Sequence, residues 1–209
     1  MNRNVINLFP SPVIQVIVED DTSELLTHNQ YTVSYQQRDD YEKPTASRRV
    51  LEEYPKTKKI LLNKYISVAE ELLGYKKREY AITTSWFTLN NIGEGGQSHK
   101  HKNSFWSGVY YYQEEYSEGT GGISFTNPNA DQFDFYYCDN DIAEPNYINA
   151  IACTLEPQPN LLLIFPSYLA HQILKHNNKT PRSSLAFNIV PLGRWGDGDS
   201  YYDMDWFHE

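Results

Sequence analysis

The chain has 209 residues, 40% of them hydrophobic and 22% charged, and a formal net charge of −9, which fits one soluble globular domain with elaborations, or at most two small ones, and excludes a disordered chain. An acidic balance with no run of Lys and Arg argues against direct nucleic-acid binding, which rests on phosphate contacts. No stretch reaches the roughly 18–20 apolar residues of a membrane span, and the N-terminus lacks a signal peptide's apolar run, so the chain is expected to be soluble and intracellular. Two cysteines, Cys138 and Cys153, have no C-x-x-C partner and are expected as buried thiols in a reducing compartment. The 17 Tyr, 9 Phe and 4 Trp favour strands and flat binding surfaces.

In chain order, the β-branched run PVIQVIV at 12–18 predicts a strand, and 22–35 is a weak helix candidate. The polar stretch 36–55 reads as a surface loop in preference to a lid over a site. From Pro55, residues Ile60, Leu61, Tyr65, Val68, Ala69, Leu72 and Leu73 recur at helical spacing, and Gly74 stops the pattern. This predicts an amphipathic helix, on which Lys56, Lys58, Lys59 and Lys64 read as a solvated face. After Tyr80, strands are predicted at 81–90, 104–113, 122–126, 132–138, 148–154, 161–165, 169–174 and 182–191, with turn residues between them. Short strands so spaced indicate a sandwich, jelly roll or barrel, and the whole is α+β. The acidic, aromatic stretch 193–209 reads as an irregular tail folded back on the body. A single domain is expected, with strand and helical support in 1–80, the β core in 81–192 and the tail in 193–209.

Two of the six histidines form His99-Lys100-His101 at a turn-to-strand junction. On an extended segment, residues i and i+2 project to one side. A third, His171, follows the apolar strand LLLIF and a Pro-Ser turn. Three neutral imidazoles can hold one face of an iron, zinc or copper ion and leave positions open. Eleven residues on, alternation in RSSLAFNIV puts Arg182, Ser184, Ala186 and Asn188 on one face and Ser183, Leu185, Phe187 and Ile189 on the other. With the apolar face packed away, the polar face lines a cavity, and a buried arginine there calls for an anion that its planar fork can grip, such as a carboxylate. Pairing of Arg182 with one of the chain's own acidic residues is the competing reading of the strand pattern.

Together these residues resemble the 2-oxoglutarate/Fe(II)-dependent oxygenase superfamily, whose core is a double-stranded β-helix and whose pattern is H-x-D/E, a distal His and, about ten residues later, R-x-S. The segments LFPSPV (8–13), SGVYYY (107–112), SFTNP (124–128), FPSYLAH (165–171) and RSSLAFN (182–188) are similar to a prolyl-hydroxylase-like subgroup of phages and marine bacteria, and that likeness spans nearly the whole chain. Position 101 departs from the wider family, with histidine where a carboxylate is usual.

The resemblance implies a jelly-roll oxygenase with N-terminal supporting helices, acting in a cytoplasm (a phage host's included). It implies Fe(II) on His99, His101 and His171, and 2-oxoglutarate held at its distal carboxylate by Arg182 and Ser184. Tyr111 is expected to add a hydrogen bond there, with Tyr110 and Tyr112 as competitors. Asn91 is expected to contact the cosubstrate, and Asn188 to face the metal region. The implied reaction consumes 2-oxoglutarate and O2, releases succinate and hydroxylates a C–H bond of a prolyl, other peptidyl or small-molecule substrate. A zinc hydrolase or lyase, and a cupin-like metal-binding protein without oxygenase activity, are the other readings of three histidines.

Overall fold

The computed structural model describes residues 10–27, 48–117, 119, 121–129, 142–146 and 148–203. Its strands are β1 (Ile14–Ile17), β2 (Tyr80–Asn90), β3 (Trp106–Tyr110), β4 (Ile123–Thr126), β5 (Ala152–Leu155), β6 (Leu161–Pro166), β7 (His171–Ile173), β8 (Arg182–Pro191), β9 (Arg194–Trp195) and β10 (Tyr202–Asp203). Five of them form one antiparallel sheet in the order β1-β6-β3-β8-β2, and three form a second in the order β5-β4-β7. Two sheets of hydrogen-bonded neighbours distant in sequence are consistent with a jelly-roll oxygenase fold.

The apolar run of β6 explains the layering. Every residue of it is buried, because the strand lies between β1 and β3 and both of its faces are covered. Leu162 and Ile164 join one core with Phe87, Leu185, Phe187 and Ile189, while Leu163 and Phe165 join a second with Tyr111, Ile123 and Phe125. The first core is capped by helix α1 (Pro55–Ser67), whose Leu61 and Tyr65 are buried in it, with the Tyr65 ring edge-on to Tyr80 at 4.9 Å. The second lies between the two sheets. Strand β8 obeys the expected alternation: Leu185, Phe187 and Ile189 face the helix side, which leaves Arg182, Ser184 and Asn188 to the other.

Several expectations change. Among the described residues α1 is the one α-helix; 22–35 yields only a 3-10 turn at Ser23–Thr27, and 28–35 lie outside the described residues. Helix α1 continues as a π turn over Val68–Leu72, with Leu73 N–H bonded to Val68 O. The extra residue in that turn slips the register, so Leu72, expected on the buried face, is 64% exposed. Gly74 then ends the helix at φ 68°.

Of the polar stretch 36–55, residues 36–47 lie outside the described residues, and the part that follows is not a simple surface loop. Val50 and Leu51 are buried, and Leu51 N–H donates to Ser85 Oγ at 2.8 Å. Lys56, Lys58 and Lys64 pair with Asp21, Glu52 and Asp20, so three of the four lysines on that helix face have an acidic partner. Part of the tail is regular, β9 and β10 forming a ladder with Trp195 edge-on to Phe105 at 4.6 Å. Cys153, expected buried, is exposed on β5, an edge strand. Cys138 and the strand expected at 132–138 lie outside the described residues. No helix among the described residues is long and apolar enough to cross a membrane.

Candidate metal and cosubstrate site

His171 opens β7, and the H-x-H segment runs antiparallel beside it. His99 and His171 exchange both backbone hydrogen bonds at 3.0 Å, and His101 N–H donates to Ser167 O at 3.0 Å. This pairing brings residues 72 positions apart into contact: the His99 and His171 ring centroids are 4.4 Å apart, and His101 lies 5.2 and 5.1 Å from them. One ring nitrogen from each falls within 4.8 Å of the others, an arrangement able to hold a metal ion.

Each ring is oriented through Nδ1. In His99 it lies 2.8 Å from Gln97 O, and in His171 it lies 2.9 Å from Leu169 O. A carbonyl only accepts, so Nδ1 carries the hydrogen and Nε2 is the nitrogen each ring can offer to a metal. His101 Nδ1 meets Asn188 Oδ1 at 2.6 Å and Ser107 Oγ at 2.8 Å, and Asn188 Nδ2 donates to Thr84 Oγ1 at 2.9 Å. Asn188 therefore stands behind a histidine. Burial lowers the pKa of His171 to about 4, against the Leu169 carbonyl, which raises it. Burial likewise lowers that of His101, against the Asn188 bond, with His99 adding to the fall. Both rings are thus held neutral, the form that binds metal.

At the other end of β8, Arg182 is 1% exposed. Its Nη1 donates to Gly121 O and its Nη2 to Asn90 Oδ1 at 3.0 Å, while Nε is buried with no partner. Among the described residues it forms no ion pair with a carboxylate, and desolvation pushes its pKa down against the pull of Tyr111, Tyr116 and Glu156. A buried guanidinium left so is costly unless an anion joins it. Ser184 is buried two residues along, on the same face.

The three consecutive tyrosines separate by alternation. Tyr111 belongs to the inter-sheet core, whereas Tyr110 and Tyr112 belong to the core under α1. Burial pushes the Tyr111 hydroxyl up to about 12, with Arg182 pulling it back. Asn91 is not brought into this set: it sits exposed in the turn after β2, its side chain 3.2 Å from the Glu94 carboxylate. Its neighbour Asn90, directly opposite Arg182 and fully buried, is there instead, with Nδ2 unpartnered. Tyr116 is a further neighbour of Arg182 and lies edge-on to Tyr111 at 5.6 Å. Sequence reasoning passed over Asn90, Ser107 and Tyr116; of these, Ser107 stood within the SGVYYY motif and Asn90 one place from the residue chosen.

A cleft of about 510 Å³ opens beside His99 and His101, and Trp86, Arg48, Lys100 and Lys102 also line it. Trp86 lies 5.6 Å from the His101 ring.

Three imidazoles able to hold a metal ion on an antiparallel two-sheet scaffold, with a buried arginine in no ion pair among the described residues, define a metal-binding arrangement with a place for an acidic cosubstrate. The family described as "Putative 2OG-Fe(II) oxygenase" matches residues 84–188, just over half of the chain, a span that includes the three histidines, Asn90, Tyr111, Arg182, Ser184 and Asn188. The chain belongs to the 2OG-Fe(II) oxygenase family, which uses Fe(II) and 2-oxoglutarate. Nothing in these comparisons separates out the prolyl-hydroxylase-like subgroup.

Among solved structures, the chain is similar to the non-heme alpha ketoglutarate dependent epimerase SnoN from nogalamycin biosynthesis, at 10% identity and TM-score 0.55, covering 90% of this chain and 79% of that one. HygX from Streptomyces hygroscopicus, with nickel and 2-oxoglutarate bound, aligns at 9% identity and TM-score 0.51, over 87% of this chain and 82% of that one. An oxidoreductase of the 2OG-Fe(II) oxygenase family from Burkholderia pseudomallei aligns at 12% identity and TM-score 0.43. The alignment covers 60% of this chain and 51% of that one, so the chain spans about half of that protein's length. No protein of curated function matches in sequence.

Proposed function

We propose that the chain is an Fe(II)- and 2-oxoglutarate-dependent dioxygenase that hydroxylates a C–H bond, built as a single domain around a double-stranded β-helix. The observation that carries this reading is Arg182, a buried guanidinium with an unpartnered Nε and, among the described residues, no ion pair with a carboxylate, on the same strand as the asparagine that orients His101. A dicarboxylate bound to a metal on the three histidines and reaching Arg182 would supply the missing anion.

The residues present suit both groups. His99, His101 and His171 would hold the iron through Nε2, their Nδ1 atoms being committed to oxygens that fix each ring. Arg182, with Ser184, Asn90 and Tyr111 about it, would hold the distal carboxylate by charge-assisted hydrogen bonds. Bound together, the metal, 2-oxoglutarate and O2 supply the oxidising chemistry, with succinate and CO2 as the other products. What the chain adds is position and exclusion of water, the cosubstrate's end lying among Tyr111, Phe125 and Phe165 between the sheets. No nucleophile or acid–base pair of the protein is required. The substrate would enter at the cleft beside His99 and His101; a prolyl or other peptidyl residue is the class that the SGVYYY and FPSYLAH likeness suggests.

Anaerobic titration with Fe(II) and 2-oxoglutarate tests this. A weak visible charge-transfer band is expected, lost in Arg182→Ala and in His101→Ala. Metal bound with no such band, and indifferent to 2-oxoglutarate, would replace this reading with that of a zinc enzyme or a metal-binding protein.

A further inference from the structure

The cleft beside the histidines has a charge at odds with the rest of the molecule. The chain carries a net −9, yet the described residues lining the cleft include three cations, Arg48, Lys100 and Lys102, and no carboxylate. On helix α1, by contrast, Lys56, Lys58 and Lys64 each pair with an acid. None of the three cleft cations is in an ion pair among the described residues. They come from two separate segments. Lys100 and Lys102 alternate with His99 and His101, and Arg48 is fixed by its backbone, Arg48 O accepting from Ser85 N–H at 2.7 Å. Like charges gathered in one concavity repel one another and raise the potential there, attracting an anion.

The histidine at position 101 acts in the same direction. Three neutral imidazoles add no charge to a bound dication, so a dianionic cosubstrate leaves the centre neutral. A carboxylate ligand in place of His101 would leave it one unit negative and repel an anionic neighbour. Trp86, half-buried beside His101, adds a flat apolar face to the wall.

We infer that the primary substrate carries a carboxylate or phosphate group, which docks on Arg48, Lys100 and Lys102 while an adjoining planar or apolar portion lies on Trp86. This rests on the oxygenase reading for what then happens to the substrate, but the anion site itself does not depend on it.

The test uses benzoate and phenyl phosphate as probes, the pair distinguishing carboxylate from phosphate, with benzamide as the neutral isostere. Binding to the Mn(II)- and 2-oxoglutarate-loaded full chain is read by calorimetry and by quenching of tryptophan fluorescence. The result expected is that at least one anion binds tenfold or more tightly than benzamide, more weakly as salt rises. Its affinity should fall at least tenfold in the triple variant Arg48→Gln/Lys100→Gln/Lys102→Gln, and the quenching should disappear in Trp86→Leu. Arg48→Gln alone, outside the H-x-H segment, should show a smaller loss and guards against a fold defect in the triple variant. Equal binding of anions and benzamide, or anion affinity unmoved by these substitutions, overturns the inference. Should the visible Fe(II)/2-oxoglutarate band be absent from the wild type while anion binding follows the charges, the oxygenase reading fails and the anion site stands.

Discussion

Asn188 Oδ1 lies 2.6 Å from His101 Nδ1 and 2.9 Å from Ser107 Oγ, and Ser107 Oγ lies 2.8 Å from Ser167 Oγ. The amide on β8 is thereby fixed from β3, through Ser107 from the turn after β6, and through Thr84 from β2, and it fixes the one histidine that stands where a carboxylate is usual. Partners of this kind set a ligand's tautomer and aim, and their removal typically costs 10–100-fold in metal affinity. Asn188→Ala is therefore expected to weaken metal binding by roughly that factor, read by competition titration with a chromophoric chelator. Unchanged affinity would mean that Ser107 alone orients the ring.

Arg182 allows a sharper test, because apo stability and cosubstrate binding should move in different directions. Desolvation holds its pKa down against the smaller pull of Tyr111, Tyr116 and Glu156, and among the described residues no carboxylate forms an ion pair with it. Replacing a buried, poorly compensated charge with an apolar side chain of similar length is often neutral or stabilising. Arg182→Met should thus melt at or above the wild-type temperature without ligand. In the Mn(II)-loaded wild type, 2-oxoglutarate at about 100 times its Kd should add about 2.7 kcal/mol, or roughly 5–10 °C for a chain of this size. That increment should vanish in the variant. A large rise on adding 2-oxoglutarate to Arg182→Met would place the cosubstrate elsewhere.

The face of β8 that holds Arg182 and Asn188 was legible from period-2 alternation alone, since one face is almost wholly apolar. The three histidines were legible as candidate ligands, and the resemblance gave their order; nothing local says that His171 will exchange backbone bonds with His99. Asn90 and Asn91 show where the reading stopped. The two are adjacent and identical, and only the pairing of Asn90 opposite Arg182 decides which enters the site. Register across strands 92 positions apart is a tertiary fact. The π turn that exposes Leu72 and the approach of Arg48 to the histidine cleft were hidden for the same reason: each depends on what the segment packs against.

That distinction can be measured. Asn90 Nδ2 is buried without a partner and Asn90 Oδ1 holds Arg182, whereas Asn91 faces solvent and Glu94. A hydrogen bond to a charged group contributes about 1.5–3 kcal/mol. Asn90→Ala should therefore raise the 2-oxoglutarate dissociation constant roughly tenfold or more, and Asn91→Ala should leave it within about twofold. Calorimetric titration of the two variants side by side decides; equal effects would remove Asn90 from the site.

Gly108 links the fold to the site. It lies opposite Phe187 in the β3–β8 pairing, and a Cβ there would stand 2.3 Å from Phe187 Cζ, with the Cε atoms at 2.7 and 2.8 Å. Phe187 is fully buried beneath α1, so its ring cannot move aside without displacing the core. Overpacking of this kind costs about 1–3 kcal/mol, and Gly108→Ala should lower the urea midpoint accordingly. Phe187→Leu will itself destabilise, but with Gly108→Ala the two should be non-additive, because the smaller side chain makes room for the methyl group. Ser107, next along β3, holds Asn188 and His101. If the strain is relieved by a shift of β3 against β8, Gly108→Ala should also weaken metal binding, and the double variant should recover it. Strictly additive destabilisation would show that Phe187 is not what the new methyl group meets.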